Sequence, residues 1–395
     1  MPMKNTRQFL EDLLAPAGIT INGVAPWDIQ VHDERFFKQV LRQKTLGLGE
    51  AYMKRWWDCR QLDVMIYRLL SSGIESKVEL NLRDQLRLLA SLLFNLQRRG
   101  RSRKSVHHHY DLGNDLFFSF LDEYNQYSCG YFDGTDDLDQ AQQNKLELIC
   151  RKLNLAKGER LLDIGCGWGG LAKYAAENFH CEVTAVNISQ EQLVHARNIC
   201  KGLPVIVKEC DYRAVEDRFD KIVSVGMFEH VGHKNYRAFM KVAHRCLEDD
   251  GIFLLHTIGG NRSMRNCDPW ICKYIFHNSV LPSPLQLSRA MEGLFMMEDW
   301  HNLGPHYDKT LLAWNTRFQQ AWPRLQKKYD STFKRMWEYY LLTCAGAFRA
   351  RSIQVWQIVM TKVDIATPQP QCRFAGTSKP AVKHEEENAM ALSTE

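Results

Sequence analysis

From Glu159 onward the chain alternates short apolar runs with stretches of helical periodicity. RLLDIGC, CEVTAVNI, VIVKECD, KIVSVGM and IFLLHTIG are rich in β-branched residues, and between them QEQLVHARNICKG and NYRAFMKVAHRCLEDDG return apolar residues at three-to-four spacing. Strand and helix in repeated alternation predict a parallel sheet with crossover helices. Two more strand candidates, FMMEDWHNL and SIQVWQIVMTK, flank a helical insertion from about Lys309 to Arg351. Upstream, FLEDLLAPAGI, ERFFKQVLRQ and NLRDQLRLLASLLFNLQ predict a small, mainly helical domain over residues 1–97. Between its first two helices GITINGVAPWDIQV alternates like a short hairpin turning on Asn-Gly, and the adjacent Trp56 and Trp57 read as core, the commoner outcome, or as an interfacial anchor. A basic linker at 98–106 follows, then a catalytic domain at 107–365 that opens on the aromatic-rich VHHHYDLGNDLFFSFLDEYNQYSCGYF, where LGND supplies a turn and cap into an amphipathic helix. The remaining residues, 366–395, combine PQPQ, GTSKP and an EEE run with no apolar period, which predicts a disordered tail.

Bulk properties narrow the picture only slightly. A chain of 395 residues suits one large domain plus a smaller one. No apolar run is long enough to span a bilayer, and MPMKNTRQFLEDLL lacks the apolar core and cleavage site of a signal peptide, so the expected address is the cytoplasm. Twelve cysteines lack the paired short spacings of a zinc site, and reduced thiols are expected. The net charge of +5 is mild, but RRGRSRK (Arg98 to Lys104) is either a solvated linker or a patch for an anionic surface.

The first strand runs into LLDIGCGWGG, whose Gly165, Gly167 and Gly170 fit G-x-G-x-x-G. Asp163, two residues before the first glycine, makes this loop similar to the D-x-G-x-G loop of class I S-adenosylmethionine methyltransferases. Such a cofactor presents an amino acid, a ribose and a sulfonium with no pyrophosphate, and close backbone approach at glycines suits the first two. At the end of the second strand, where an acidic residue usually reads ribose hydroxyls, the chain offers Asn187, with Gln192 following. Asp211 and Tyr212, after the third strand, stand where an adenine amine and ring face are met.

After the fourth strand, GMFEHVG has no proline, unlike the Asn/Asp-Pro-Pro-aromatic motif with which amine methyltransferases hold their substrate. Glu229 and His230 point instead to proton handling. His256 and Thr257 in LLHTIGG, Tyr307 in GPHYDKTL and Cys129 in QYSCGYF fall where loops at the strand ends converge. Each alone has an ordinary structural reading, a satisfied core histidine or a small buried thiol; together at one sheet edge they read as a site.

Ordered motifs along nearly the whole chain carry a resemblance: GITINGVAP, LGLGEAYMKRWWDC, HYDLGNDLF, YSCGY, LLDIGCGWGGLA, SVGMFEHVG, FLLHTIG, DPWICKYIF, MEDWHNLG, CAGAFRAR and IQVWQIV. The sequence resembles the cyclopropane fatty acid synthase family, related to the mycolic acid cyclopropane synthases. That resemblance implies a class I methyltransferase fold, Rossmann-like with a seven-stranded, mostly parallel sheet, and methyl transfer from S-adenosylmethionine to the cis double bond of a phospholipid acyl chain. It implies a bicarbonate ion as the base that closes the ring, held by Cys129, Glu229, His256, Ile258 through its backbone, and Tyr307. Glu229 is then expected to tune the base with His256 as its partner in space, and His230 to support from behind. Cys344 matches a family position weighed as a nucleophile; the chemistry needs no covalent intermediate, so a structural role is expected. On the cofactor side the resemblance adds Tyr127, Ser128, Trp168 and Ile188, while the family threonine is replaced by Asn187. It further implies a homodimer, unsaturated phospholipid at a membrane surface as partner, and peripheral attachment to the inner membrane. Two rivals remain: a methyltransferase of amines or nucleic acid using RRGRSRK, and a non-catalytic lipid binder. The missing proline motif weighs against the first and the intact glycine loop against the second, so nucleic acid is not an expected partner.

Overall fold

The computed structural model describes residues 6–73, 113–264 and 266–363. The predicted helix at 81–97, the basic linker, the histidine run at 107–109 and the tail lie outside the described residues.

At the N-terminal end, α1 (Thr6–Leu14) buries Leu10 and Leu14, one turn apart, and stops at a 3-10 turn containing Pro16, with Gly18 in the left-handed region. Helix α2 (Arg35–Met53) covers the predicted ERFFKQVLRQ and continues past a break at Lys44, and α3 (Leu62–Ser71) follows. The expected hairpin does not form. Asp28 accepts from the backbone N–H groups of Thr20 (2.8 Å) and Ala25 (2.9 Å), and these side-chain bonds replace the ladder a hairpin needs. Ile21 and Ile29 meet in a parallel bridge, and β1 (Gln30–Val31) pairs antiparallel with β2 (Trp57–Asp58). Trp57 is core, its Nε1 donating to the Leu48 carbonyl, while Trp56 is half-buried beneath Arg35 and Lys54.

All seven predicted strands appear: β3 (Arg160–Ile164), β4 (Glu182–Asn187), β5 (Val205–Glu209), β6 (Phe219–Val225), β7 (Leu247–Gly260), β8 (Phe295–Asn302) and β9 (Ile353–Lys362). Their order is β5-β4-β3-β6-β7-β9-β8, parallel except for β9, which runs antiparallel to both neighbours. The order reverses between β3 and β6, and in such sheets ligands bind at that switch point, beyond the carboxyl ends of the strands.

Along the chain the helices of this half are α4 (Leu138–Lys152), α5 (Gly170–Phe179), α6 (Gln190–Ile199), α7 (Tyr236–Cys246), α8 (Pro269–Tyr274), α9 (Pro284–Met291), α10 (Gly304–Leu325) and α11 (Ser331–Arg349). α4 and α5 pack Leu146, Ile149, Leu171 and Ala175 on one face of the sheet, while α7 and α9 pack Phe239, Ala243 and Leu287 on the other. The predicted helical insertion is two helices, because Asp330 caps a new start by accepting from Phe333 N (2.7 Å). A third core joins the N-terminal helices to α10 and α11, running from Leu10 and Trp57 through Phe117 and Trp314 to Tyr307. At Gly346 a Cβ would lie 2.5 Å from the Asp63 carbonyl, so glycine sets the close approach of α11 to α3. Arg349 completes this joint, pairing with Asp63 (2.8 Å) and Asp308 (2.9 Å).

Candidate active site

At the switch point a cavity of about 180 Å³ opens between the glycine loop and the segment before α4. Gly165 sits at φ +86°, and a Cβ there would meet Met227 at 2.7 Å, so only glycine admits this turn. Gly170, opening α5, approaches the Tyr124 carbonyl so closely that any side chain would displace that segment. Every cofactor residue expected from the sequence lines this cavity: Tyr127, Ser128, Asp163, Gly165, Gly167, Trp168, Asn187, Ile188, Gln192, Asp211 and Tyr212. Their states differ from simple expectation. Asp163 is fully buried, burial pushes its carboxyl up to about 7, and Oδ2 has no hydrogen-bond partner. Asp211 is already engaged, Arg213 donating to it through Nε (2.8 Å) and Nη2 (2.6 Å), and the Tyr212 ring rests on Phe239. Trp168 donates through Nε1 to Asn114 (2.8 Å), so LGND serves the cavity wall more than a long helix: only Asn114–Phe117 is helical.

Asn187 is committed to the protein itself. Its Oδ1 accepts from Ile188 N (2.7 Å), and its Nδ2 donates to Gly167 O (3.3 Å) and Gln192 Oε1 (2.8 Å). Asn187 therefore ties the glycine loop to α6 and orients Gln192. Asn187→Ala is expected to weaken S-adenosylhomocysteine binding about tenfold, with hydrogen bonds worth roughly 1 kcal/mol each released on both sides. Isothermal titration of the purified variant checks this, and unchanged affinity would show the tie to be dispensable.

The residues expected to handle protons lie after β6, within β7 and on α10. Glu229, in a 3-10 turn at Phe228–His230, accepts from Ile258 N through Oε1 (2.7 Å), so the Ile258 N–H, expected to face a bound ion, is engaged with Glu229. Glu229 Oε2 is buried with no hydrogen-bond partner, and burial pushes the carboxyl up to about 7. Tyr307, on α10, is held far into its neutral form by burial and by neighbouring groups that include Cys129, Tyr127 and Glu229. Its ring faces Phe348 at 4.6 Å and Trp314 at 6.0 Å. The Cys129 thiol, also raised by burial, donates to the Gly130 carbonyl (3.2 Å).

His256 is placed differently from expectation. Its Nδ1 lies 3.4 Å from Gln357 Nε2, and no Glu229–His256 hydrogen bond is present among the described residues. Burial, followed by Lys145, Lys152 and His301, pushes this imidazole down to about 3, so it is neutral. His230, expected behind the site, lines the cofactor cavity itself and is pushed down to about 4 by burial. Cys344 is a half-buried thiol that burial pushes up to about 12, and such a thiol is not an activated nucleophile.

Residues 97–358 match the family model described as mycolic acid cyclopropane synthetase. The chain belongs to this family. Cyclopropane-fatty-acyl-phospholipid synthase of Escherichia coli strain K12 is 51% identical over 362 residues, covering 92% of this chain and 95% of that protein. Cyclopropane mycolic acid synthase 1 of Mycobacterium tuberculosis is 34% identical, covering 65% of this chain and 96% of its own length. Among solved structures, mycolic acid cyclopropane synthase CmaA1 complexed with SAH and CTAB superposes with a TM-score of 0.61 at 33% identity, covering 65% of this chain and 97% of that one. Like other members of the mycolic acid cyclopropane synthetase family, this chain is an S-adenosylmethionine-dependent methyltransferase.

The buried side of α4 holds polar residues that no motif in its sequence singles out. Gln142, Lys145 and Lys152 share one stripe with Ile149, and all four are buried. Lysines recurring on an apolar helical face were the available signal.

Proposed function

We propose that the protein transfers the methyl group of S-adenosylmethionine to the cis double bond of an unsaturated phospholipid acyl chain and closes a cyclopropane ring, with bound bicarbonate as the base. The observation that carries this reading is Glu229 Oε2, a buried carboxyl oxygen without a hydrogen-bond partner, and Tyr307 has both Glu229 and Cys129 among the groups acting on it electrostatically. Buried polar atoms are rarely left unpaired, and this one fits a small polar anion.

S-adenosylmethionine supplies an electrophilic methyl group, and bicarbonate, when bound, supplies the base that takes the ring-closing proton. The protein's own residues do the rest. Gly165, Gly167 and Gln192 shape the cofactor cavity, and Asp163 Oδ2 is an acceptor for an amino group there. An alkene is a weak nucleophile, so orientation and exclusion of water carry most of the rate. Phe348, Trp314 and Tyr307 supply a dry wall whose π faces favour positive charge developing on the acyl chain. Burial pushes the Glu229 carboxyl up to about 7, so near neutrality a large share of it is protonated, and in that form Oε2–H donates toward an anion that an ionised carboxylate would repel. The Ile258 N–H holds the other carboxyl oxygen, Oε1, in place, and Cys344 has a structural role.

We extend this reading to the setting. The proposed setting is a cytoplasmic enzyme docked peripherally on the inner membrane, with its N-terminal helical domain handling lipid; separately, no helix among the described residues is long and apolar enough to cross a membrane. A homodimer is part of the proposal.

Incubation with labelled S-adenosylmethionine and vesicles of unsaturated phosphatidylglycerol tests it. Acyl chains one methylene heavier and resistant to hydrogenation are the expected product. A heavier chain that still takes up hydrogen would mean plain methylation, and label found only in added RNA would overturn the lipid reading.

A further inference from the structure

The stripe on α4 does more than fill space between helix and sheet. Lys145 is fully buried, and its Nζ donates to Gln126 Oε1 and to Ser128 Oγ (3.0 Å). One turn away, Gln142 Nε2 donates to the Ser128 carbonyl (2.9 Å), so α4 grips this segment by backbone and side chain together. Gln126, Ser128 and Asp163 all line the cofactor cavity. An ammonium has donors only, so in its bond to Lys145 the Ser128 oxygen must accept. The hydroxyl's own hydrogen is then left to donate elsewhere. Asp163, in the same cavity, offers the opposite polarity through its unpartnered Oδ2.

We propose that Lys145 is a positioning residue that fixes the Ser128 hydroxyl as a donor into the cofactor cavity, so that Ser128 takes the carboxylate and Asp163 the ammonium of the cofactor's amino-acid end. This deepens the cofactor reading and rests on it. Lys145 also offsets charge in this dry region, since Asp122, Asp163 and Cys129 all act on it electrostatically. Burial holds Lys145 down to about 8, which leaves it charged at neutral pH. Lys145 touches no reacting atom in this scheme; it acts through Ser128.

The test compares two ligands on the full-length protein by isothermal titration calorimetry. S-adenosylhomocysteine carries the amino-acid end, and 5′-methylthioadenosine carries the same nucleoside and thioether without it. Lys145→Met is expected to weaken S-adenosylhomocysteine about tenfold or more, the scale of a lost hydrogen bond to a charged group, while 5′-methylthioadenosine stays within about twofold. Ser128→Ala is expected to reproduce this selective loss, and the double variant to add less than about twofold, since both act on one contact. Should Lys145→Met fail to fold, Ser128→Ala alone decides through the same ratio. Equal weakening of both ligands would reveal a general collapse of the cavity and overturn the proposal, as would unchanged binding of S-adenosylhomocysteine. If the wild-type protein binds 5′-methylthioadenosine but not S-adenosylhomocysteine, the amino-acid assignment is wrong; if it binds neither, the cofactor reading falls and this one with it.

Discussion

Glu229→Leu is expected to lower turnover on unsaturated phospholipid vesicles about 10²–10³-fold at saturating S-adenosylmethionine, the scale of losing one preorganised donor at a reaction centre. Glu229→Gln is expected to keep roughly a tenth or more of wild-type turnover. The contrast follows from the state of the carboxyl. Oε1 is held by Ile258 N, Oε2 is buried, and burial pushes the group up to about 7. A neutral carboxyl accepts on one oxygen and donates from the other, and glutamine does the same with its amide. Equal loss in both variants would mean that the ionised carboxylate is the working form. Stability supplies an independent check with a definite sign. With a folded pKa of about 7 against 4.5 in the unfolded chain, the folded protein holds a proton that the unfolded chain releases between those values. Stability from this group is therefore complete below 4.5 and declines as pH rises toward 7, by about 3 kcal/mol at 1.36 kcal/mol per unit. Urea melts of Glu229→Gln should match wild type at pH 4.5 and exceed it at pH 8, because the variant lacks this loss. A constant offset across pH would show that ionisation of Glu229 is not what changes.

Lys152→Met is expected to cost about 3–5 kcal/mol of folding stability, the range for removing one partner of a buried ion pair. Lys152 Nζ lies 3.1 Å from Asp299 Oδ2 and 3.1 Å from His301 Nδ1, and the exposure of the paired side chains is 1% and 2%. Methionine fills most of the volume but leaves the carboxylate of Asp299 in a dry site without its cation. Denaturant unfolding checks the size of the loss. Lys152→Met combined with Asp299→Leu should recover most of it, since an apolar pair of similar volume carries no unpaired charge. A double variant as unstable as the single would assign the loss to packing. The charge also reaches the reaction centre, because Lys152 is one of the cations that keep His256 neutral.

Strands and glycine loop were legible because their signals are local. A β-rich run such as KIVSVGM, or an acid two residues ahead of a glycine turn, carries its meaning within a few residues, and β6 and a cavity beside the glycine turn lie where those runs predict. The N-terminal hairpin was misread because Asn-Gly and alternation say nothing about a carboxylate six residues on; Asp28 captures the N–H groups that a ladder would use. That Glu229 and His256 share a bound ion is a statement about space that no local pattern carries; Glu229 Oε1 is held at the Ile258 backbone, two residues along β7 from His256. Lys145 escaped because periodicity assigns lysine to the solvent face, and only the tertiary contact with Gln126 and Ser128 reverses that assignment.

Tyr307 and Cys129 belong to the same apolar cluster as Leu10, Trp57 and Met65. The first helices and the wall around Tyr307 are therefore packed as one body: α3 meets α11 at Gly346, and α11 carries Phe348, whose ring lies 4.6 Å from that of Tyr307. Under the proposed function, a displacement of α3 on a lipid surface would be felt at the wall formed by Tyr307 and Phe348.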